Sequence, residues 1–136
     1  MNTSPAFAAT LLRISLGVMY LAHGLLKLIV FTPEGTAGFF SSLGLPGFLG
    51  PLTMGIEISG GIALILGVYA RFVAVALIPV LLGAVVLVHG ANGWSFGNQG
   101  GGWEYPVFLI AASIVQFLLG DGVYALKSRA AQPVAA

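Results

Sequence analysis

Hydrophobic residues gather into four long runs, at about 6–31, 48–70, 72–91 and 104–124, divided by connections rich in glycine, proline and aromatic residues. A bilayer is crossed by roughly 20 apolar residues as a helix, or by roughly 10 as a barrel strand. Runs of this length predict an all-α protein, a bundle of four transmembrane helices. No linker or composition shift divides the chain, so residues 1–129 are read as one membrane domain, followed by an Ala/Pro tail at 130–136 that is expected to be disordered.

Polar residues interrupt these runs at regular spacing. In the first, Arg13, Gly17, Tyr20, Gly24 and Lys27 alternate steps of four and three, the seam that faces a neighbouring helix. His23 falls beside Lys27 on the same sector. Gly17 and Gly24 allow close backbone approach. The second run repeats the pattern with Met54, Glu57, Gly61 and Leu64, flanked by Gly60 and Gly67. Glu57 and His23 both lie about eight residues from the same predicted helix ends, roughly 12 Å deep at 1.5 Å per residue, and Lys27 about a turn shallower. Glu57 is therefore the expected partner of His23 and Lys27. Ion-pair packing alone is the competing explanation of these charges, with Arg13 and Lys27 extending toward opposite interfaces.

The third run has no acidic residue; Pro79 predicts a kink near its middle, and His89 closes it. The fourth opens with Glu104 and carries a modest polar stripe of Ser113, Gln116 and Gly120. In the first connection, turn signals at Pro33-Glu34-Gly35 and Gly44-Leu45-Pro46-Gly47 bracket Phe39, Phe40, Leu43 and Leu45, a candidate short interfacial helix or lid. The third connection carries Trp94 and Trp103, suited to an interfacial belt. Its Gly100-Gly101-Gly102 run lacks the strand and Lys-Ser/Thr of a phosphate loop and reads as a flexible turn.

Composition agrees with membrane insertion: of 136 residues, 58% are hydrophobic and 7% charged, with a mean hydropathy of +1.03. A soluble domain is about 25% charged. A net charge of +1, with no basic face, excludes a nucleic-acid partner. The absence of cysteine excludes disulfides, thiolate metal sites and a thiol relay. No metal site is expected, because two histidines and a few carboxylates lack a Glu-x-x-His motif. A bis-histidine haem is rejected too, since His89 and His23 are predicted about 12 Å apart in depth. Arg13, Arg71, Lys127 and Arg129 gather at one side of the bundle and Lys27 at the other, which places both termini in the cytoplasm.

The residues Arg13, His23-Gly24-Leu25-Leu26-Lys27, Gly44-Leu45-Pro46, Glu57, Gly60-Gly61, Gly67, Arg71, His89, Trp94, Gly101-Gly102, Glu104 and Gly120-Asp121-Gly122-Val123-Tyr124 form an ordered set. In them the chain resembles the DoxX family of small four-helix membrane proteins over nearly its whole length. Ala125-Leu126-Lys127 departs from the Ser-Leu-Asp that often follows the tyrosine. The resemblance implies an oxidoreductase system at the bacterial inner membrane. Relatives include a subunit linked to thiosulfate oxidation with quinone reduction, and members associated with quinone stress or redox partner proteins.

Three functions follow as expectations. The first is a component of a quinone- or quinol-linked oxidoreductase system, with a polar pocket in the outer half of the bundle; whether the chain itself is an enzyme stays open. The others are a small proton-coupled transporter and a non-catalytic anchor or assembly factor. For the first, Glu57, His23 and Lys27 are the candidate catalytic acid–base groups. His89, Glu104, Trp94 and Tyr20 are candidate ligand contacts, and Arg13, Gly24, Gly60, Gly61 and Arg71 candidate structural residues. No cofactor is evident in the sequence beyond a candidate bound quinone. The lipid bilayer is the expected environment; a small organic ligand, a redox partner protein and a second copy of the chain are the candidate partners.

Overall fold

The computed structural model describes residues 4–128; Arg129 and the tail expected at 130–136 lie outside the described residues. Among the described residues every regular element is helical. The first apolar run forms α1, Ser4–Ile29, whose 26 residues extend about 39 Å. The second forms α3, Leu49–Leu66. The third is a succession: α4 (Ala70–Ala76), α5 (Ile78–Gly83), a π-helical segment (Ala84–His89) and a 3₁₀ turn (Gly90–Asn92). The last is α6, Glu104–Leu119. Ser4–Ile29, Leu49–Leu66 and Ala70–Asn92 are long and apolar enough to cross a membrane, and α6 is a shorter apolar helix. Phe7, Leu11, Val18, Phe108 and Leu118 lie exposed on the outside of the bundle. Such an apolar surface is at home in lipid, and the chain is an integral membrane protein.

The fold corrects the four-helix expectation by one element. α2, Thr32–Ser42, occupies the first connection. Pro33 sits in its first turn, where the missing N–H costs nothing. At its other end Leu45 N donates to Phe40 O and Gly44 N to Ser41 O, a Schellman stop that needs the positive φ of Gly44, +79°. Two predicted helix ends also move inward. Gly67 turns left-handed at φ +73° and ends α3 at Leu66 rather than at 70. Gly120, at φ +87°, ends α6 at Leu119 rather than at 124. Pro79 interrupts the third run as its position predicts: helical continuity is lost at Leu77, and α5 restarts with Pro79 in its first turn.

Segment 120–128, freed from helix, folds back beneath the bundle and satisfies backbone groups that lipid cannot. Leu126 N and Lys127 N donate to Leu66 O and Gly67 O, and Tyr69 N donates to Lys127 O. Arg13, only 1% exposed, reaches from α1 to the last turn of α3. Its Nη1 donates to Leu64 O at 2.9 Å and Ile65 O at 2.8 Å, and its Nη2 to Val123 O at 3.3 Å. A cation on the last carbonyls of a helix complements the helix dipole. Asp121 does the converse for α4, accepting from Arg71 N at 2.7 Å.

α1 and α3 pack antiparallel with backbones almost in contact. A Cβ added to Gly61 would stand 2.6 Å from Leu21 N and 2.8 Å from Gly17 O; one on Gly24 would stand 3.0 Å from Ile58 N. Only hydrogen fits at these positions. On the other side of α3, Gly60 receives the Leu77 side chain, beside a core of Leu16, Tyr20, Leu64, Ala70, Ala74 and Leu81.

Gly61→Val must drive α1 and α3 apart, and the expected loss of stability is at least the ~1–3 kcal/mol typical of overpacking. Gly38→Val at the exposed face of α2, where an added Cβ meets nothing within 4 Å, should cost far less. Unfolding of the two purified variants in detergent compares them directly.

Candidate functional site

The close α1–α3 contact carries Lys27 to Glu57. Lys27 Nζ lies 3.0 Å from Glu57 Oε1 and 2.8 Å from Oε2. The carboxylate side chain is 6% exposed and the lysine 21%. α2 packs against the backbone at Lys27: Thr36, itself buried, donates to Thr32 O at 2.8 Å and approaches Lys27 O at 3.4 Å. Gly50 lets α2 rest on the start of α3, since a Cβ there would lie 2.8 Å from Thr36 O.

His23 does not join the pair through any hydrogen bond of the described structure. Its Nδ1 lies 2.8 Å from Met19 O. A carbonyl only accepts, so Nδ1 carries the proton and a neutral imidazole keeps Nε2 as its acceptor. The same holds for His89, whose Nδ1 donates to Gly101 O at 2.9 Å. Two aromatic rings stand between the imidazoles. His23 stacks on Tyr105 (centroids 6.4 Å apart, planes at 27°), Tyr105 meets Phe96 at 5.1 Å, and Phe96 meets His89 at 6.1 Å.

The two middle rings of this row, Tyr105 and Phe96, line a cleft of about 390 Å³ together with Trp94, Glu104 and Phe108. Phe108 is 69% exposed and Trp94 61%, so the cleft opens sideways onto the apolar surface. Apolar walls with a few placed polar groups are the usual composition of a small-molecule site. Here the polar groups are the Glu104 carboxylate and the Tyr105 phenol. Trp94 is held edge-on to Trp103, ring centroids 4.7 Å apart.

The loop that supplies Trp94 and Phe96 is crossed by an array of hydrogen bonds. Phe96 N donates to Glu104 Oε1 at 3.0 Å; Gly102 N, Trp103 N and Glu104 N donate to Ser95, Gly93 and Trp94 carbonyls. Gly101 takes φ +75° while its carbonyl receives His89 and Asn92. The π-helical segment ends at His89, and such segments often mark functional positions.

The candidate residues thus separate into three places. Lys27 and Glu57 form the buried pair. Trp94 and Glu104 line the cleft, with His23 and His89 behind it through Tyr105 and Phe96. Tyr20 is 1% exposed in the bundle interior and faces Ser113. Arg13 lies at the far end, and Gly24, Gly60 and Gly61 sit at helix contacts. Arg71 lies over the rings of Phe117 at 4.8 Å and Phe72 at 5.6 Å. Sequence reasoning passed over Tyr105, Phe96 and Phe108. The available signal was the spacing of Tyr105 and Phe108, three apart on the first turn of an apolar helix whose neighbour Glu104 had already been singled out.

The model of the family described as DoxX matches residues 8–90. The Bacillus subtilis (strain 168) protein named "Putative oxidoreductase CatD" is 34% identical over 126 residues, covering 93% of this chain and 89% of that protein. No solved structure matches.

Removing one member of a buried ion pair strands the other, at about 3–5 kcal/mol; the partial exposure of Lys27 points to the low end. Lys27→Met should therefore destabilise the protein, and Lys27→Met/Glu57→Gln should recover most of that loss. A double-mutant cycle of unfolding free energies in detergent reads the coupling, and simple additivity would contradict it.

Proposed function

The chain belongs to the DoxX family, and on that footing we propose that it is a quinone- or quinol-binding component of an oxidoreductase system in the bacterial inner membrane. The observation that carries this reading is the aromatic cleft. Its four aromatic rings, Trp94, Phe96, Tyr105 and Phe108, suit a flat apolar ring, and the exposed Phe108 face gives a lipid-soluble ligand a way in. The Tyr105 phenol can donate to a quinone carbonyl, and the Glu104 carboxylate can accept from a quinol hydroxyl. His23, stacked behind Tyr105, is an acid–base group within one residue of the ligand. The relative named as an oxidoreductase supports the redox direction. With no cysteine in the chain, electrons come from a redox partner protein or from a bound organic donor.

In this reading α1, α3, the Ala70–Asn92 segment and α6 are the four spanning elements of one domain. α6, at about 24 Å, is completed by the folded-back segment after Gly120. Arg13, Arg71 and Lys127 share the end of the bundle that holds the termini, so that end faces the cytoplasm. The Lys27–Glu57 pair and the cleft then sit in the outer half.

A non-catalytic anchor is the second reading, favoured by how many polar groups bind backbone: Arg13, Asp121, His89 and Glu104 all do so. Binding separates the two. A short-chain ubiquinone analogue should quench the fluorescence of Trp94 and Trp103 saturably in the purified protein. Phe108→Ala should weaken its affinity by about tenfold, the loss of one aromatic contact. Quenching that never saturates, or that ignores Phe108→Ala, sinks the quinone reading and leaves the anchor.

Orientation is tested separately. The chain has no cysteine, so Ser128→Cys creates a unique label site. A membrane-impermeant maleimide should modify it in inverted vesicles and spare it in intact cells.

A further inference from the structure

Between α1 and α6 a line of buried polar atoms lacks a well-formed hydrogen bond among the described residues: Tyr20 Oη and Ser113 Oγ, which face one another, and Gln116 Oε1, with Asp121 Oδ2 beyond the end of α6. Tyr20 is 1% exposed, Ser113 and Gln116 0% and Asp121 6%. Buried polar groups are almost always satisfied, by protein or by ordered water, and in a lipid-embedded bundle an unsatisfied one is especially unfavourable.

The geometry joins these groups into one stripe. Ser113, Gln116 and Gly120 are three and four apart, one above another on α6. The Tyr20 hydroxyl faces Ser113, and Gly24, one turn along α1 from Tyr20, packs on Ile58, the neighbour of Glu57 on α3. Gln116 Nε2 donates to Gly120 O at 2.8 Å, and Asp121 follows. Beside Gly120 there is open space, because a Cβ built there would meet no atom within 4 Å. The stripe therefore runs from the Lys27–Glu57 pair to the end of the bundle that holds the termini. Ser113 to Gly120 is a rise of about 10 Å, a gap that one to three waters span.

We propose that internal water occupies this seam and connects the Glu57 carboxylate to the end of the bundle that holds the termini as a proton-exchange path. The hydroxyls of Tyr20 and Ser113 each accept one proton and release their own. Gln116 does not relay; its Oε1 holds a water in line. A proton from bulk solvent joins the water beside Gly120, and at every oxygen along the file one O–H bond forms as another breaks, so each oxygen ends with the protons it began with. The last proton transferred ends on Glu57, which becomes a neutral acid and frees the Lys27 ammonium, and the return runs the same bonds backwards. No electron moves. The path stands whether or not the cleft binds a quinone.

Proton-detected solid-state NMR of the full chain in lipid bilayers tests it, reading magnetisation transfer from water to the Tyr20 hydroxyl and to the Gln116 side-chain amide. Both should receive transfer in the parent protein, and Gln116→Leu should cut transfer to Tyr20 by about fivefold or more by displacing water from the seam. Absence of transfer to either group in the parent protein overturns the proposal. So does undiminished transfer to Tyr20 in a folded Gln116→Leu variant, which would put the water entry elsewhere. Should that variant fail to fold, Ser113→Ala removes one relay hydroxyl with little change of shape. Proton exchange at Tyr20 should then slow by a similar factor, and an unchanged rate overturns the relay.

Discussion

The contact that the rest of the structure depends on is the near-touching of two backbones. Gly17 and Gly24 on α1 meet Gly61 and the Met54–Ile58 turn on α3 with no room for a side chain. In lipid, helices have no hydrophobic force between them, so close packing and polar contacts decide which faces meet. Once these glycines fix the register, the charges are placed. Arg13 and Lys27 are two heptads apart on α1, about 21 Å, while their partners Leu64 and Glu57 are one heptad apart on α3, about 10 Å. Each long side chain therefore leans inward along the bundle, Arg13 onto the last turn of α3 and Lys27 onto Glu57.

That register gives the two ends different chemistry. At the end of the termini, charge serves the backbone: Arg13 covers the last carbonyls of α3, Asp121 the first amides of α4, and both depend on the turn at Gly120-Asp121-Gly122. A Cβ on Gly122 would fall 2.6 Å from Thr10 N, so the turn and α1 require each other. At the opposite end α2 and a hydrogen-bonded loop rest on the helices, and aromatic rings rather than charges meet the membrane. The cleft lies there because α6 begins with Glu104-Tyr105: the carboxylate ties down the loop while the phenol turns between His23 and Phe96.

The helical character of the chain and the α1–α3 seam were legible in the sequence, because period and small-residue spacing report directly on faces. The Lys27–Glu57 meeting followed from matching depths on two helices. The His23 partner did not, since depth says nothing of azimuth, and a backbone carbonyl one turn back satisfied the imidazole. The helix ends at Leu66 and Leu119 were missed because apolar residues continue past Gly67 and Gly120; left-handed backbone, not polarity, stops these helices. The cleft was hidden for a further reason. Trp94 and Phe96 reach it only through the fold of a glycine-rich loop whose order comes from His89, Asn92 and Glu104, contacts that no local pattern encodes.

What the protein carries out of the membrane tests the central claim most directly, that the aromatic cleft holds a quinone-class ligand. Extraction in a mild detergent, followed by chromatographic analysis of the organic extract, measures quinone per chain. Retention near one per chain in the parent protein, and loss of it in Phe108→Ala of equal thermal stability, is the result predicted here. Parent protein free of quinone after extraction and after incubation with added quinone would contradict it.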